Sequence, residues 1–331
     1  MFSSAIIWNM SANKMFYRPL GKTGLMVSPI TFGALTIGPI HKALSVKEGA
    51  EVIKEALDLG VNLIDTAECY ETYPYIREAL KGRGEEIHVT SKSYAYERQG
   101  MEKAFEECRK ALDRDTIDIF LMHEQESRYT IEGHKEALDF LQEKKAKGQL
   151  RAVGLSTHAV DAVRAAADRD DIDVIHPLIN KMGWGIIDGT RDEMLEAISY
   201  AHQKGKGLYG MKALAGGKLA DNAEECFRWA YTVPEVDSFA VGMKSRREVR
   251  INVAWALGNE PDPEDLAAYV VEKRHIEVRD ICVGCGSCIR RCGQRAISMA
   301  EGAKTVTINV KRCVLCGYCR DNCEHDAIRI Y

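Results

Sequence analysis

Between Ser28 and Gly242 short apolar runs alternate with longer segments of helical period, and nothing else in the chain restricts its fold as much. The runs are Pro29–Phe32, Asn62–Ile64, Ile87–Thr90, Ile117–Met122, Ala152–Leu155, Val174–Leu178, Gly207–Met211 and Ser238–Val241. The helical segments between and after them are Val46–Leu59, Tyr75–Leu80, Met101–Leu112, Glu132–Lys147, Val160–Ala167, Arg191–Lys204, Asn222–Tyr231 and Arg246–Leu257. Strand then helix, repeated in this way, predicts a (β/α)8 barrel, whose usual size of roughly 250 residues fits the span. A doubly wound sheet would carry a Gly-rich phosphate-binding turn after its first strand, and none stands there. Ahead of the barrel, Tyr17–Val27 holds Gly21-Lys22-Thr23-Gly24 between short apolar pieces and is expected to form a hairpin across the barrel's bottom. Behind it, the polar, Pro-containing stretch Asn259–Asp265 reads as a connection leading into a helix over Leu266–Lys273.

The cysteines change the composition abruptly near Asp280. Of eleven, only Cys69, Cys108 and Cys226 precede that point. The run Cys282-x2-Cys285-x2-Cys288-x3-Cys292 recurs 31 positions later as Cys313-x2-Cys316-x2-Cys319-x3-Cys323, and Ala296-Ile297 recurs as Ala327-Ile328. Three thiolates within seven residues suit a loop wrapped around one iron–sulfur cluster, with a fourth ligand from elsewhere. Two zinc sites or a disulfide knot are the alternatives; zinc sites pair two short Cys hairpins far apart, and disulfides do not suit a reducing compartment. The repeat closely resembles the bacterial ferredoxin with two 4Fe-4S clusters. That resemblance implies exchanged fourth ligands: Cys282, Cys285, Cys288 and Cys323 for one cluster, Cys313, Cys316, Cys319 and Cys292 for the other. The family's proline after the fourth cysteine is replaced by Gly293 and Glu324. The chain thus divides into an N-terminal extension (1–15), a barrel (16–258), a linker and helix (259–279) and a small α+β two-cluster ferredoxin-like domain (280–331).

Charge and hydropathy narrow the function. The net charge of −4 lacks the basic balance that nucleic-acid phosphates attract. The longest apolar stretches, such as Ile117–Met122 and Ser238–Met243, fall short of the roughly 18 to 20 residues of a bilayer span. Met1–Asn13 has no basic n-region and no cleavage site, so a cytoplasmic protein is expected, with neither membrane nor nucleic acid as partner. Met1–Lys14 lacks periodic pattern, and Met15 reads as a natural start.

Active groups of such barrels stand at the C-terminal ends of strands. Asp65, Tyr70, Lys92 and His123 follow the second, second, third and fourth runs. Together with Tyr17–Gly24, Asp65-Thr66-Ala67-Glu68-Cys69-Tyr70, Gly154-Leu155-Ser156 and Gly242 with Asn252, they make the span Phe16–Leu257 resemble the aldo-keto reductase family. The resemblance implies reduction of a small-molecule carbonyl by hydride from NADP(H) or NAD(H). Tyr70 is then the proton donor, with Lys92 hydrogen-bonded to it and lowering its pKa. Asp65 fixes the lysine, and His123 orients the carbonyl oxygen.

The implied cofactor residues are Gly33, Ser156, His176, Met211, Lys212, Leu214, Gly216, Lys244, Arg247 and Asn252. Several depart from the family. Ser156-Thr157 replaces a Ser-Asn pair, His176 a glutamine and Met211 a stacking aromatic, while Lys244, Arg246 and Arg247 differ in spacing from the Lys-Ser-Arg pattern that selects NADPH. Cys69 has no resolving partner in the sequence and carries no redox assignment. Clusters pass one electron and nicotinamide passes a hydride, so a mediator is needed. A ferredoxin or flavoprotein partner, a flavin in the barrel, or a non-catalytic electron-transfer or docking role for the whole chain are the readings this leaves open.

Overall fold

The structure, a computed structural model, describes residues 14–269 and 274–330. A short hairpin opens it, β1 (Arg18–Pro19) against β2 (Met26–Val27). Eight parallel strands then close into a barrel: β3 (Ile30–Gly33), β4 (Leu63–Asp65), β5 (His88–Ser93), β6 (Ile117–Met122), β7 (Leu150–Thr157), β8 (Val174–Pro177), β9 (Gly207–Met211) and β10 (Ser238–Gly242). Closure runs through β10 and β3, with Phe239 opposite Ile30 and Gly242 opposite Gly33. All eight strands overlap the apolar runs of the sequence, because a parallel strand covered on both faces must be apolar throughout.

The surrounding helices are α1 (Val46–Asp58), α2 (Tyr73–Leu80), α3 (Arg98–Leu112), α4 (Arg128–Gly133), α5 (Lys135–Ala146), α6 (Val160–Ala167), α7 (Arg191–Gln203), α8 (Ala223–Tyr231) and α9 (Arg246–Ala256). Their starts are written in the sequence: Ser45 with Glu48, and Thr190 with Glu193, form reciprocal caps of α1 and α7. Two expectations need correction. The single helix over Glu132–Lys147 is two, because Ser127 with Thr130 caps a short helix that ends at Gly133, and the chain restarts after His134. The helix expected at Leu266–Lys273 instead covers Pro263–Ala267 (α10), where Asp262 accepts from the Glu264 and Asp265 amides and Pro263 takes the first turn; positions 270–273 lie outside the described residues, as does Met1–Asn13 of the extension.

The hairpin seals the barrel's floor. Leu20, Leu25 and Val27 are fully buried against Leu63, Ile119, Leu121, Ala152, Val174 and Tyr209. The larger apolar layer lies between strands and helices.

Beyond α10, β11 (Ile276–Val278) pairs antiparallel with β14 (Ile328–Ile330), and β12 (Ile297–Ser298) with β13 (Thr307–Ile308). Each cysteine run ends in one short helix, α11 (Ser287–Arg291) or α12 (Tyr318–Asp321). This small unit sits on the C-terminal mouth of the barrel. A Cβ at Gly216 would stand 1.9 Å from the Val314 carbonyl oxygen, so glycine is needed for the approach. His41 Nε2 meets the Cys316 carbonyl at 3.1 Å, Gln294 donates to His158 Nδ1, and Arg295 pairs with Glu126.

Leu25→Ala leaves the floor unfilled and should cost about 2 to 5 kcal/mol. Urea denaturation checks it, and a change under 1 kcal/mol would show that the hairpin is not part of the core.

Candidate functional site

Parallel pairing fixes the first two groups. Asp65 ends β4 opposite Thr90 of β5, and Lys92 lies two residues further along the same face. The Lys92 ammonium donates to both Asp65 oxygens at 2.8 Å and to the Thr66 carbonyl at 2.7 Å. From across the barrel, the Tyr209 hydroxyl donates to Asp65 Oδ1 at 2.9 Å. All three side chains are buried.

Tyr70, in a short 3-10 turn after β4, and His123, just past β6, complete the group; their rings stand 5.9 Å apart. The relation of Lys92 to Tyr70 differs from the expectation. The ammonium lies over the phenol ring, 5.1 Å from its centroid, and its hydrogen bonds go to Asp65 and Thr66. Burial, followed by the charges of Asp65 and Cys69, holds the Tyr70 hydroxyl well above the usual tyrosine pKa, while a hydrogen bond with Tyr318 works the other way. Tyr70 is therefore protonated at neutral pH. Burial, then Lys92, pushes His123 well below the ordinary histidine pKa, so its imidazole is neutral. Its Nδ1 is buried without a hydrogen-bond partner, which is costly unless a ligand supplies one.

Three residues of the site were invisible in the sequence. Tyr94 stacks on His123 at 4.2 Å, and Tyr209 stacks on His176 at 3.8 Å. The third, Tyr318, comes from the second cysteine run. Its buried ring lies 6.5 Å from Tyr70 and 6.4 Å from both Tyr94 and His123. The Arg291 guanidinium covers Tyr94 at 4.8 Å and Tyr318 at 5.1 Å. Only the spacing of a tyrosine inside a Cys-x2-Cys loop hinted at it, and no sequence rule turns that loop toward a barrel.

A cavity of about 320 Å³ opens beside Tyr70, within the range typical of small-ligand sites. Of the expected cofactor residues, Gly33, His176, Met211, Lys212, Leu214, Gly216, Lys244 and Asn252 line it. Ser156 and Arg247 do not. Ser156 Oγ is turned to accept the Glu124 amide at 2.9 Å, and Arg247 reaches Asp265 at 3.5 Å. His176 Nδ1 donates to the Tyr209 carbonyl at 2.6 Å, and burial lowers its pKa to about 3. Asn252 Nδ2 donates to the Glu248 carbonyl, while its Oδ1 is buried and unpartnered. An amide oxygen waiting for a donor, together with Met211 and the cationic Lys212, fits a nucleotide with a flat ring and phosphates.

In the small unit, Cys282, Cys285, Cys288 and Cys323 line one cavity. Among the described residues no three His, Cys, Asp or Glu side chains converge as they would on a single ion. Burial raises the Cys288 thiol pKa, and the charges of Cys323 and Cys282 add to it. Burial likewise raises Cys313, with Cys292 adding to it. Each run therefore has the other run's last cysteine beside it. The Ala296 and Ala327 amides donate to Cys292 and Cys323 Sγ at 3.4 and 3.3 Å, bonds that favour thiolate ligands. The donor set fits 4Fe-4S clusters.

Known proteins agree with this geometry. The model of the aldo/keto reductase family matches residues 29–226, and that of the 4Fe-4S dicluster domain matches 281–327. An L-galactose dehydrogenase of Arabidopsis thaliana is 25% identical over 268 residues, 75% of this chain and 82% of that protein. The methylglyoxal reductase DkgA of Escherichia coli is 26% identical over 199 residues, 56% of this chain and 71% of that protein. Among solved structures, one from Pseudomonas aeruginosa assigned to the aldo-keto reductases superposes with a TM-score of 0.63 at 27% identity, over 76% of this chain and 99% of its own. The holo form of a Bacillus halodurans aldo-keto reductase, at 22% identity and a TM-score of 0.60 over 76% of this chain and 93% of its own, shares the fold. No helix among the described residues is long and apolar enough to cross a membrane. The chain is an oxidoreductase of the aldo/keto reductase family, with a 4Fe-4S dicluster domain at its C-terminal end.

Proposed function

We propose that the barrel reduces a small carbonyl compound with a nicotinamide nucleotide, NADPH in preference to NADH, and that the two clusters exchange single electrons with a ferredoxin-type or flavoprotein partner in the cytoplasm. The observation that carries this reading is the meeting of Tyr70, His123 and the Lys92–Asp65 pair beside a cavity that offers an unpaired Asn252 oxygen. A nicotinamide nucleotide, its ring beside Met211 and His176 and the rest of it reaching Lys212 and Asn252, would supply hydride. Tyr70, kept protonated by burial, donates its hydroxyl proton to the carbonyl oxygen as that oxygen gains charge. Neutral His123 orients the same oxygen through a ring N–H. Lys92 is a positioning residue: it anchors Asp65 and places a positive charge over the Tyr70 ring, which favours charge developing on the phenol during proton donation.

The clusters, held by Cys282, Cys285, Cys288 and Cys323 and by Cys313, Cys316, Cys319 and Cys292, supply one-electron transfer. A flavin-linked reading is favoured by one observation: Val314 and Leu315 of the cluster unit line the same cavity as Tyr70. A flavin there would join one-electron and two-electron chemistry. Anaerobic purification followed by extraction of any bound nucleotide separates the two.

Tyr70→Phe should lower turnover of a reducible aldehyde by roughly 10²- to 10⁴-fold with nucleotide affinity unchanged; turnover at the wild-type rate overturns the assignment. Lys92→Met strands the buried Asp65 carboxylate and should cost about 3 to 5 kcal/mol of stability as well as activity, read by thermal unfolding beside kinetics. An unchanged melting temperature would show that the ion pair is not a structural element. Cys323→Ala should reduce iron from about eight to about four per chain, with an equal loss of labile sulfide. Stoichiometric zinc without sulfide in the wild-type protein would contradict the cluster reading.

A further inference from the structure

The walls of the main cavity belong to three parts of the chain. The barrel gives its deep end, where Asp65, Tyr70, His176 and Met211 lie. Arg274, just before β11 and half-buried, and Arg320, exposed in α12 directly after Cys319, line it from the other two parts. Positive charge dominates the lining. Five side chains with fixed positive charge line the cavity, Lys42, Lys212, Lys244, Arg274 and Arg320, against two carboxylates, Asp65 and Glu248. Both carboxylates are already engaged: Asp65 by Lys92 and Tyr209, and Glu248 by the Lys244 amide at 2.8 Å. Lys212 and Arg320 form no ion pair among the described residues. Lys212 also holds a backbone φ of +64°, a strained value for a side-chain-bearing residue, directly at the end of β9. Such strain persists where the surroundings or a ligand use it.

We propose that this cavity holds a phosphate-bearing ligand across the seam between the barrel and the cluster unit, its anionic groups gripped jointly by Lys212, Arg274 and Arg320. This rests on the reading of the cavity as the cofactor site and extends it, because Arg274 and Arg320 lie outside the segment matched by the reductase family. Burial orients the ligand, since Asp65, Tyr70 and His176 are buried while Lys42 and Arg320 are exposed. A flat ring lies deep beside Tyr70 and Met211, and the phosphates lie outward, where guanidinium groups bind them in bidentate fashion. Binding in this way ties the cluster unit to the barrel.

The test uses the full-length protein, purified anaerobically with both clusters loaded. Wild type, Lys212→Gln, Arg320→Gln and Arg320→Lys are titrated by calorimetry with NADPH, NADH, flavin mononucleotide and inorganic pyrophosphate. Iron, sulfide and melting temperature report on folding. For at least one probe, each glutamine variant should bind about tenfold more weakly or worse, with Arg320→Lys recovering part of the loss. The same probe should slow hydrogen exchange in residues 313–320. If NADPH and NADH fail to bind while flavin mononucleotide binds and depends on Arg320, the inference stands and the nicotinamide reading falls. If NADPH binds equally well to all four proteins and no other probe depends on Lys212 or Arg320, the inference falls and the nicotinamide reading stands. Failure of every probe to bind wild type overturns the inference as well.

Discussion

A lysine ammonium and an aspartate carboxylate, both shut away from water inside a barrel, set the terms for everything at its mouth. Removing two charges from solvent is expensive, and the arrangement persists only when their hydrogen-bonding capacity is used. Here it is: three acceptor contacts for Lys92, and donors from β5 and β9 for Asp65. The pair thereby ties adjacent strands together and pins Tyr209 across the interior. Tyr70 and His123 are positioned against that fixed point, one over the ammonium and one beside the phenol. Their protonation states follow from the same burial, which keeps the phenol protonated and the imidazole neutral.

The cluster unit then changes the character of the site. In an open barrel, loops and water would surround Tyr70. Here Tyr318 and Tyr94 crowd it, Arg291 covers both rings, and Val314 and Leu315 close one side of the cavity. Excluding water strengthens every electrostatic interaction beneath. The loop of the second cysteine run is thus part of the wall of the chamber beside Tyr70, and besides carrying its cysteines it has to pack against the barrel.

Period and caps made the barrel legible, since eight buried parallel strands have to be apolar and their helices have to begin with residues such as Ser45 and Thr190. The four groups Asp65, Tyr70, Lys92 and His123 were legible because strand ends share one face of the barrel. What stayed hidden depended on direction. Lys92 has three hydrogens and several acceptors, and only the folded geometry decides that Asp65 and Thr66 take them in place of the Tyr70 hydroxyl. Ser156 and Arg247 carry suitable chemistry but are turned to Glu124 and Asp265. Tyr318 is separated from Tyr70 by about three quarters of the chain, and docking of one unit on another leaves no periodic trace.

The cysteine repeat carries a further consequence at one position. Gly286-Ser287 in the first copy corresponds to Gly317-Tyr318 in the second, and both glycines hold positive φ, 75° and 93°. For wrapping a cluster the two loops are interchangeable. For docking they are not: the half-exposed serine has no ring to place among Tyr70, Tyr94 and His123. A unit turned end for end would keep its metal chemistry and leave a hole at the barrel's mouth. Tyr318 for Ser287, together with Leu315 for Gly284, therefore gives a nearly symmetric module a front and a back, with Cys313 and Cys319 buried in the second run and Cys285 exposed in the first.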